Sequence, residues 1–285
     1  MTNFIDKCVK IQLGLCPPPL DEVDKMTMSH RKRPHERNVP MNIRQIRDIT
    51  VIDFDENKYL GIACDSCGGI GYKECDVVKA PPQLTAYQTG KVVLAELLSM
   101  GFQPVILSDG LAVEMNTTGK NLIEGFNDVL SKLSTKVHLT GSTEENIKTV
   151  QTSMGVTCIG VCEKHKLKYR NTSKGDICIL AGLPMVGNEV LNNPDKILDI
   201  DDYEKMHFCN YIKEMLPVGS KGIEAELNEL LNCNNLKFRY RSNISIDLKK
   251  SGGPSCSCIV VLEEENFNII KELLNKPLTI IGEFI

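Results

Sequence analysis

From Met41 to the C-terminus, apolar residues recur with two different spacings that take turns along the chain. Arg47-Asp-Ile-Thr-Val-Ile-Asp-Phe54, Pro104-Val-Ile-Leu-Ser-Asp109 and Val156-Thr-Cys-Ile-Gly-Val-Cys162 read as strands. Residues 85–100 and 120–133 instead repeat their apolar positions at helical intervals, and Gly101 stands where a helix C-cap is expected. Such alternation points to layered helices and sheets, an α+β (α/β) fold. Asp55-Glu-Asn-Lys58 supplies a hairpin turn into a further strand, residues 59–64.

A polar interruption, Lys164-His-Lys-Leu-Lys168 with Arg170-Asn-Thr-Ser-Lys174, divides the pattern. Beyond it, residues 176–181, 257–262 and 279–282 read as strands, and 187–191, 203–216, 223–232 and 266–274 as helices. Two domains are expected, residues 41–165 and 166–285, preceded by an N-terminal extension, residues 1–40. The extension carries Cys16-Pro-Pro-Pro19, which suits neither a helix interior nor a central strand, and a basic patch over residues 30–37. It reads as a poorly ordered arm.

Composition narrows the function classes. A net charge of -4 argues against general affinity for nucleic-acid backbones. A mean hydropathy of -0.14 with no long apolar run argues against a membrane span, and the N-terminus lacks the apolar core of a secretion signal. Twelve cysteines in a chain long enough to build its own core are expected to be reduced thiols, many of them buried in strands, in a cytoplasmic protein. There is no GxxxxGK[ST] loop, no kinase-type HRD or DFG set and no GxGxxG after a strand, and the histidines are scattered.

The chemistry-bearing segments follow apolar strands directly. Asp65-Ser66-Cys67-Gly68-Gly69-Ile70-Gly71 joins a strand-end carboxylate to glycines that allow close backbone approach to phosphate. Ser108-Asp109-Gly110 places a second carboxylate past a buried strand, and Gly141-Ser142-Thr143-Glu144-Glu145-Asn146 gathers acceptors after a third. Carboxylates on separate strand ends suit Mg²⁺ shared with substrate phosphates. Ser251-Gly252-Gly253-Pro254-Ser255 is a backbone-rich loop able to line a pocket or simply turn the chain.

In order along the chain, Ala63-Cys-Asp65-Ser-Cys-Gly-Gly-Ile-Gly71, Leu94-Ala-Glu96-Leu-Leu-Ser-Met-Gly101, Gly141-Ser-Thr-Glu-Glu-Asn146 and Lys174-Gly-Asp176-Ile-Cys-Ile-Leu-Ala-Gly182 resemble the ATP-dependent enzymes related to aminoimidazole ribonucleotide synthase. Selenophosphate synthase, thiamine-monophosphate kinase and a hydrogenase-maturation protein belong to the same superfamily. The resemblance implies a two-domain fold, an N-terminal ATP- and Mg²⁺-binding domain and a homodimer. It implies Asp65, Asp109 and Glu144 as metal ligands, the first two central to catalysis. Ser66, Gly68, Gly69, Gly71, Glu96, Thr143 and Asn146 would lie around the nucleotide, with Thr143, Glu144 or Glu145 taking the acidic role of that loop. Gly-Ser-Thr-Glu at 141–144, Gly182-Leu-Pro-Met-Val-Gly-Asn-Glu-Val190, Pro217-Val-Gly-Ser-Lys-Gly222 and Ser251-Gly-Gly-Pro-Ser255 look most like the alpha-ribazole kinase group, which phosphorylates a nucleoside 5′-hydroxyl. On that likeness Ser251, Gly252, Gly253 and Ser255 would face a small nucleoside-like acceptor. Other reactions of the superfamily, a cyclo-ligase or a selenophosphate synthase, and a non-catalytic nucleotide-binding protein stand as alternatives. Cys64 and Cys67 flank Asp65, which would make the site sensitive to oxidation.

Overall fold

The computed structural model describes residues 42–242 and 244–285. The expected extension, residues 1–40, lies outside the described residues. Residues 41–285 form one compact unit.

The first sheet begins with a hairpin, β1 (Ile43–Ile46) and β2 (Ile49–Asp53), joined by Arg47 and Asp48. The strand expected over residues 47–54 forms as β2, two residues shorter at its start, because Arg47 takes a positive φ of 54° and reverses the chain after β1, a strand the sequence reading did not include. The expected turn at Asp55 forms: its carboxylate accepts from the Asn57 and Lys58 amides. It leads into β3 (Lys58–Gly68), which with β6 (Gln103–Leu111), β7 (His138–Thr143) and β8 (Ser153–Glu163) completes the sheet in the order β1-β2-β3-β8-β6-β7. Only β6 and β7 run parallel. A two-stranded parallel ribbon, β4 (Ile70–Gly71) and β5 (Val78–Lys79), follows β3.

One helix, α1 (Pro82–Ser99), connects β5 to β6. Proline at its first position suits a turn whose N–H is unpaired anyway. Its end is the predicted one: Gly101 adopts φ 90°, and the Gly101 and Phe102 amides donate to the Leu98 and Leu97 carbonyls. Val93, Leu94, Leu97 and Leu98 are fully buried, and α2 (Lys120–Ser131) packs beside α1 through Leu122 and Phe126.

The second sheet contains β9 (Ile177–Ala181), β10 (Glu214–Pro217), β11 (Phe238–Tyr240), β12 (Cys258–Leu262) and β13 (Leu278–Phe284), in the order β10-β12-β9-β13-β11 and antiparallel throughout. Every residue of β9 and β12 is buried. Their alternate side chains serve two cores: Ile177, Ile179 and Val260 join the large core around α1, while Cys178, Leu180 and Ile259 pack with α5 (Ile223–Asn234). The other helices are α3 (Asn188–Asn192), α4 (Ile200–Phe208) and α6 (Phe267–Leu273). The helix expected over residues 203–216 stops at Phe208, and Glu214–Pro217 instead form edge strand β10. A short apolar run satisfies either period, and here pairing with β12 decides.

The ten described cysteines are free thiols, and Cys158, Cys162, Cys178, Cys256 and Cys258 are buried. No helix among the described residues is long and apolar enough to cross a membrane.

The two sheets are joined by a buried ion pair. The Arg47 guanidinium bonds the Glu214 carboxylate and, at 3.1 Å, the Met215 carbonyl. The second Glu214 oxygen accepts from the Asn171 amide and from the Thr172 amide and hydroxyl. Glu214→Ala strands a buried guanidinium, so unfolding in urea should show a loss of about 3–5 kcal/mol. A loss no larger than that of an exposed substitution would contradict this role.

Candidate functional site

Residues opposite one another in adjacent strands share a face of the sheet. Asp65 on β3 pairs with Val156 on β8, Val156 with Asp109 on β6, and Asp109 with Gly141 on β7. The two aspartates thus stand in one row on one face, two strands or about 10 Å apart. That face is the one covered by α1, as the buried Ala63, Leu107 and Cys158 of the same alternation show. Gly141 completes the row because the Asp109 carboxylate lies over it; a β-carbon there would sit 2.2 Å from Oδ1. Both aspartates lie within strands rather than in loops after them, since the β3–β8 ladder continues unbroken from Lys58 to Gly68.

Burial raises the Asp65 carboxyl above the ordinary carboxylate range, against a lowering hydrogen bond from the Ser66 backbone. Burial alone pushes Asp109, 8% exposed, up to about 6. The two carboxylates stand about 10 Å apart, and Asp109 leans over Gly141 away from Asp65, so they do not close on one ion; each is an oxygen donor suited to a hard divalent cation whose other ligands are phosphate oxygens and water. Among the described residues no three Asp, Glu, His or Cys side chains converge tightly enough to hold an ion by themselves. Glu144 turns back on its own loop, accepting from the Asn146 and Ile147 amides. Thr143 donates to Glu145, which also accepts from the Met115 amide. Gly68 pairs with Ser153, and the Gly69 amide donates to the Thr152 carbonyl. Gly71 lies against the Thr152 and Asp76 side chains, whose mutual bonds anchor the β4–β5 ribbon.

A cavity of about 970 Å³ opens between the two sheets. Asp65, Ser66 and Cys67 at the end of β3 form one wall, and Glu96 of α1 lies beside them. Gly252, Gly253 and Ser255 form part of the facing wall, near the start of α5. The other expected acceptor residue, Ser251, bonds the Ser220 carbonyl at 2.6 Å and does not line the cavity. Asp109, Thr143, Glu144 and Asn146 lie outside its lining as well, as do Gly68, Gly69 and Gly71. The geometry therefore gathers Asp65, Ser66, Glu96 and the 252–255 loop around one space and sets the 141–146 loop apart. Cys64 and Cys67 fall on opposite faces of β3, Cys64 exposed against Thr157 and Cys67 toward the cavity, so they cannot bond one another.

Sequence reasoning missed Arg47, Gln88, Glu226 and Glu229, all of which line the cavity. A signal existed for one of them: Gln88 and Glu96 are eight residues apart, on one face of a helix whose second half is mostly apolar. Glu96 is raised to about 8, first by burial and then by Asp48, Asp65 and Glu226.

Residues 47–162 match the family model described as AIR synthase related protein, N-terminal domain. No curated protein sequence matches the chain. Among solved structures, T. maritima PurL complexed with AMPPCP has a TM-score of 0.61 at 16% identity, over 82% of this chain and 42% of PurL. The chain thus spans less than half the length of that relative. Thiamine monophosphate kinase from Aquifex aeolicus has a TM-score of 0.59 at 14% identity, over 84% of this chain and 89% of the kinase. E. coli HypE has 0.58 at 12%, over 79% of each chain. The fold is accordingly the mixed α/β fold of the AIR synthase related superfamily, with its N-terminal domain followed by a second sheet.

Because the native state resists ionising Asp109, the stability tied to this group is complete below pH about 4 and is lost as pH rises to about 6. In metal-free buffer Asp109→Asn should therefore be more stable than the parent by about 1–2 kcal/mol at pH 8 and equal to it at pH 3.5. Urea titrations at both pH values check the sign.

Proposed function

We propose that this chain is an ATP- and Mg²⁺-dependent phosphotransferase that acts on the 5′-hydroxyl of a small nucleoside, with alpha-ribazole the acceptor its sequence favours. The observation carrying this reading is the row Asp65–Val156–Asp109, two desolvated carboxylates on one face, the nearer at the edge of a cavity of nucleoside-binding size. PurL complexed with AMPPCP and thiamine monophosphate kinase share the fold, which supports nucleotide chemistry at this place.

Asp65 and Asp109 would each hold Mg²⁺, with Glu144 joining if its loop turns inward, and the metal when bound neutralises charge on the phosphoryl oxygens. Ser66 and Glu96 orient the polar groups around it, and the Gly68–Gly71 ribbon with Thr143 and Asn146 forms the outer boundary of the nucleotide. Gly252, Gly253 and Ser255 position the acceptor, and the enclosing α1 and α5 exclude water. Transfer of this kind asks for positioning and charge neutralisation more than for a strong base. The same reading carries a homodimer in the cytoplasm.

A second reading, a nucleotide-binding protein without turnover, is favoured by one observation, the Glu144 carboxylate committed to its own loop. ATP consumption measured against alpha-ribazole and a nucleoside panel, with ³¹P NMR of the products, separates the cases. A stable phosphomonoester supports the kinase, ADP with inorganic phosphate supports a ligase-like reaction, and Mg²⁺-dependent binding without consumption supports the second reading. Asp65→Ala should abolish turnover while its thermal midpoint stays close to the parent's; transfer retained in that variant sinks the assignment.

A further inference from the structure

Along α1, Gln88, Val92, Glu96 and Ser99 follow one another at helical spacing and all line the cavity. Gln88 Oε1 and Glu96 Oε2 are buried and have no hydrogen-bond partner among the described residues. The same holds for the hydroxyl of Ser99, a residue only 1% exposed. Across the cavity, Glu226 and Glu229 project from α5. Glu226 accepts one weak bond, from the Gly219 amide at 3.3 Å, and burial raises its carboxyl above the ordinary range. Among the described residues that line the cavity the one buried cation, Arg47, commits two nitrogens to Glu214 and the Met215 carbonyl and leaves Nε without a partner, while Lys79 and Lys221 are exposed at the rim.

This wall thus gathers carboxyl groups that burial holds back from ionising, against one unpaired buried donor, Arg47 Nε, and a cation seated among them favours their ionised form. Leaving buried acceptors unpaired is costly, and a ligand that brings donors or positive charge removes that cost. A single metal ion does not fit the pattern, because no three acidic side chains among the described residues converge on one point. The carboxylates instead line a space that apolar Val92, Met100 and Val218 line as well. We infer that Glu96 and Glu226, with Gln88 and Ser99, form a seat for an organic cation, so that the acceptor carries a positively charged, ring-shaped head group. The inference rests on the reading of this cavity as the acceptor site and departs from it in one respect, setting a cationic nucleoside in place of alpha-ribazole, whose base is neutral at pH 7. Glu226 acts here as a specificity residue, distinct from the proposed metal ligands Asp65 and Asp109.

The test needs two nucleosides of the same shape that differ in charge. Nicotinamide riboside has a cationic pyridinium ring and its 1,4-dihydro form a neutral one, with the same ribose and carboxamide. Titration calorimetry of the full chain should show the cation binding about tenfold more tightly, equivalent to about 1.4 kcal/mol. Glu226→Gln should bring the two affinities within about twofold. Glu96→Gln, made separately, should do the same and serves if the first variant fails to fold. Equal affinities in the parent, no binding of the cation, or a preference unchanged in folded variants each overturns the inference. A charge preference that disappears in the variants supports it even if no nucleoside is phosphorylated, an outcome that would sink the kinase reading alone.

Discussion

The contact on which the rest of the molecule depends is the pairing of Arg47 with Glu214. An ion pair removed from water is tolerated when further hydrogen bonds offset its lost solvation. Here the surrounding chain supplies most of them: Asn171 and Thr172 donate to Glu214, and the Met215 carbonyl accepts from Arg47, leaving only Arg47 Nε without a partner. The partners come from the β1–β2 turn, the segment between the sheets and edge strand β10, so satisfying one buried charge sets the spacing of three parts of the fold. The cavity walls inherit that spacing, since Arg47, Met215 and Leu216 belong to them. The guanidinium still favours the charged form of Glu226, but burial outweighs it and the Glu226 carboxyl stays above the ordinary range.

Helix α1 plays the complementary part. Its apolar residues belong to a core shared by both sheets, so the helix is held on most of its circumference. The remaining face holds Gln88, Glu96 and Ser99, rigid because the helix beneath them cannot move without opening the core. Raised carboxyl groups in such a setting are a stability cost, and costs of this kind concentrate at sites with chemistry to perform. Asp109, raised by burial with nothing to offset it, follows the same logic two strands away.

Much of the architecture was legible in the chain. The short apolar runs around Val156 and Ile179, the helical period before Gly101 and the Asp55 turn all reflect local rules, in which each residue's preference agrees with its neighbours'. Legibility failed where two local readings were equally good. Met215 and Leu216 suit a helix or a strand, and only β12 beside them decides. Arg47 opens an apparent strand, and a positive φ that no residue type announced makes it a corner instead. Among the site residues, Asp65 and Asp109 stood out because a carboxylate following an apolar run is conspicuous in any order of strands. Glu226 did not, because on a surface-like helix it resembles any solvated acid.

The sequence by itself determined the succession of strands and helices, the end of α1 at Gly101 and the identity of the acidic segments, since these depend on contacts between residues close in the chain. Only the tertiary structure decided that Val156 would set Asp65 and Asp109 in one row and that Glu226 would line the same cavity as Glu96. Those outcomes depend on strand order and on the approach of two sheets, relations between residues far apart in sequence that no local pattern of spacing encodes.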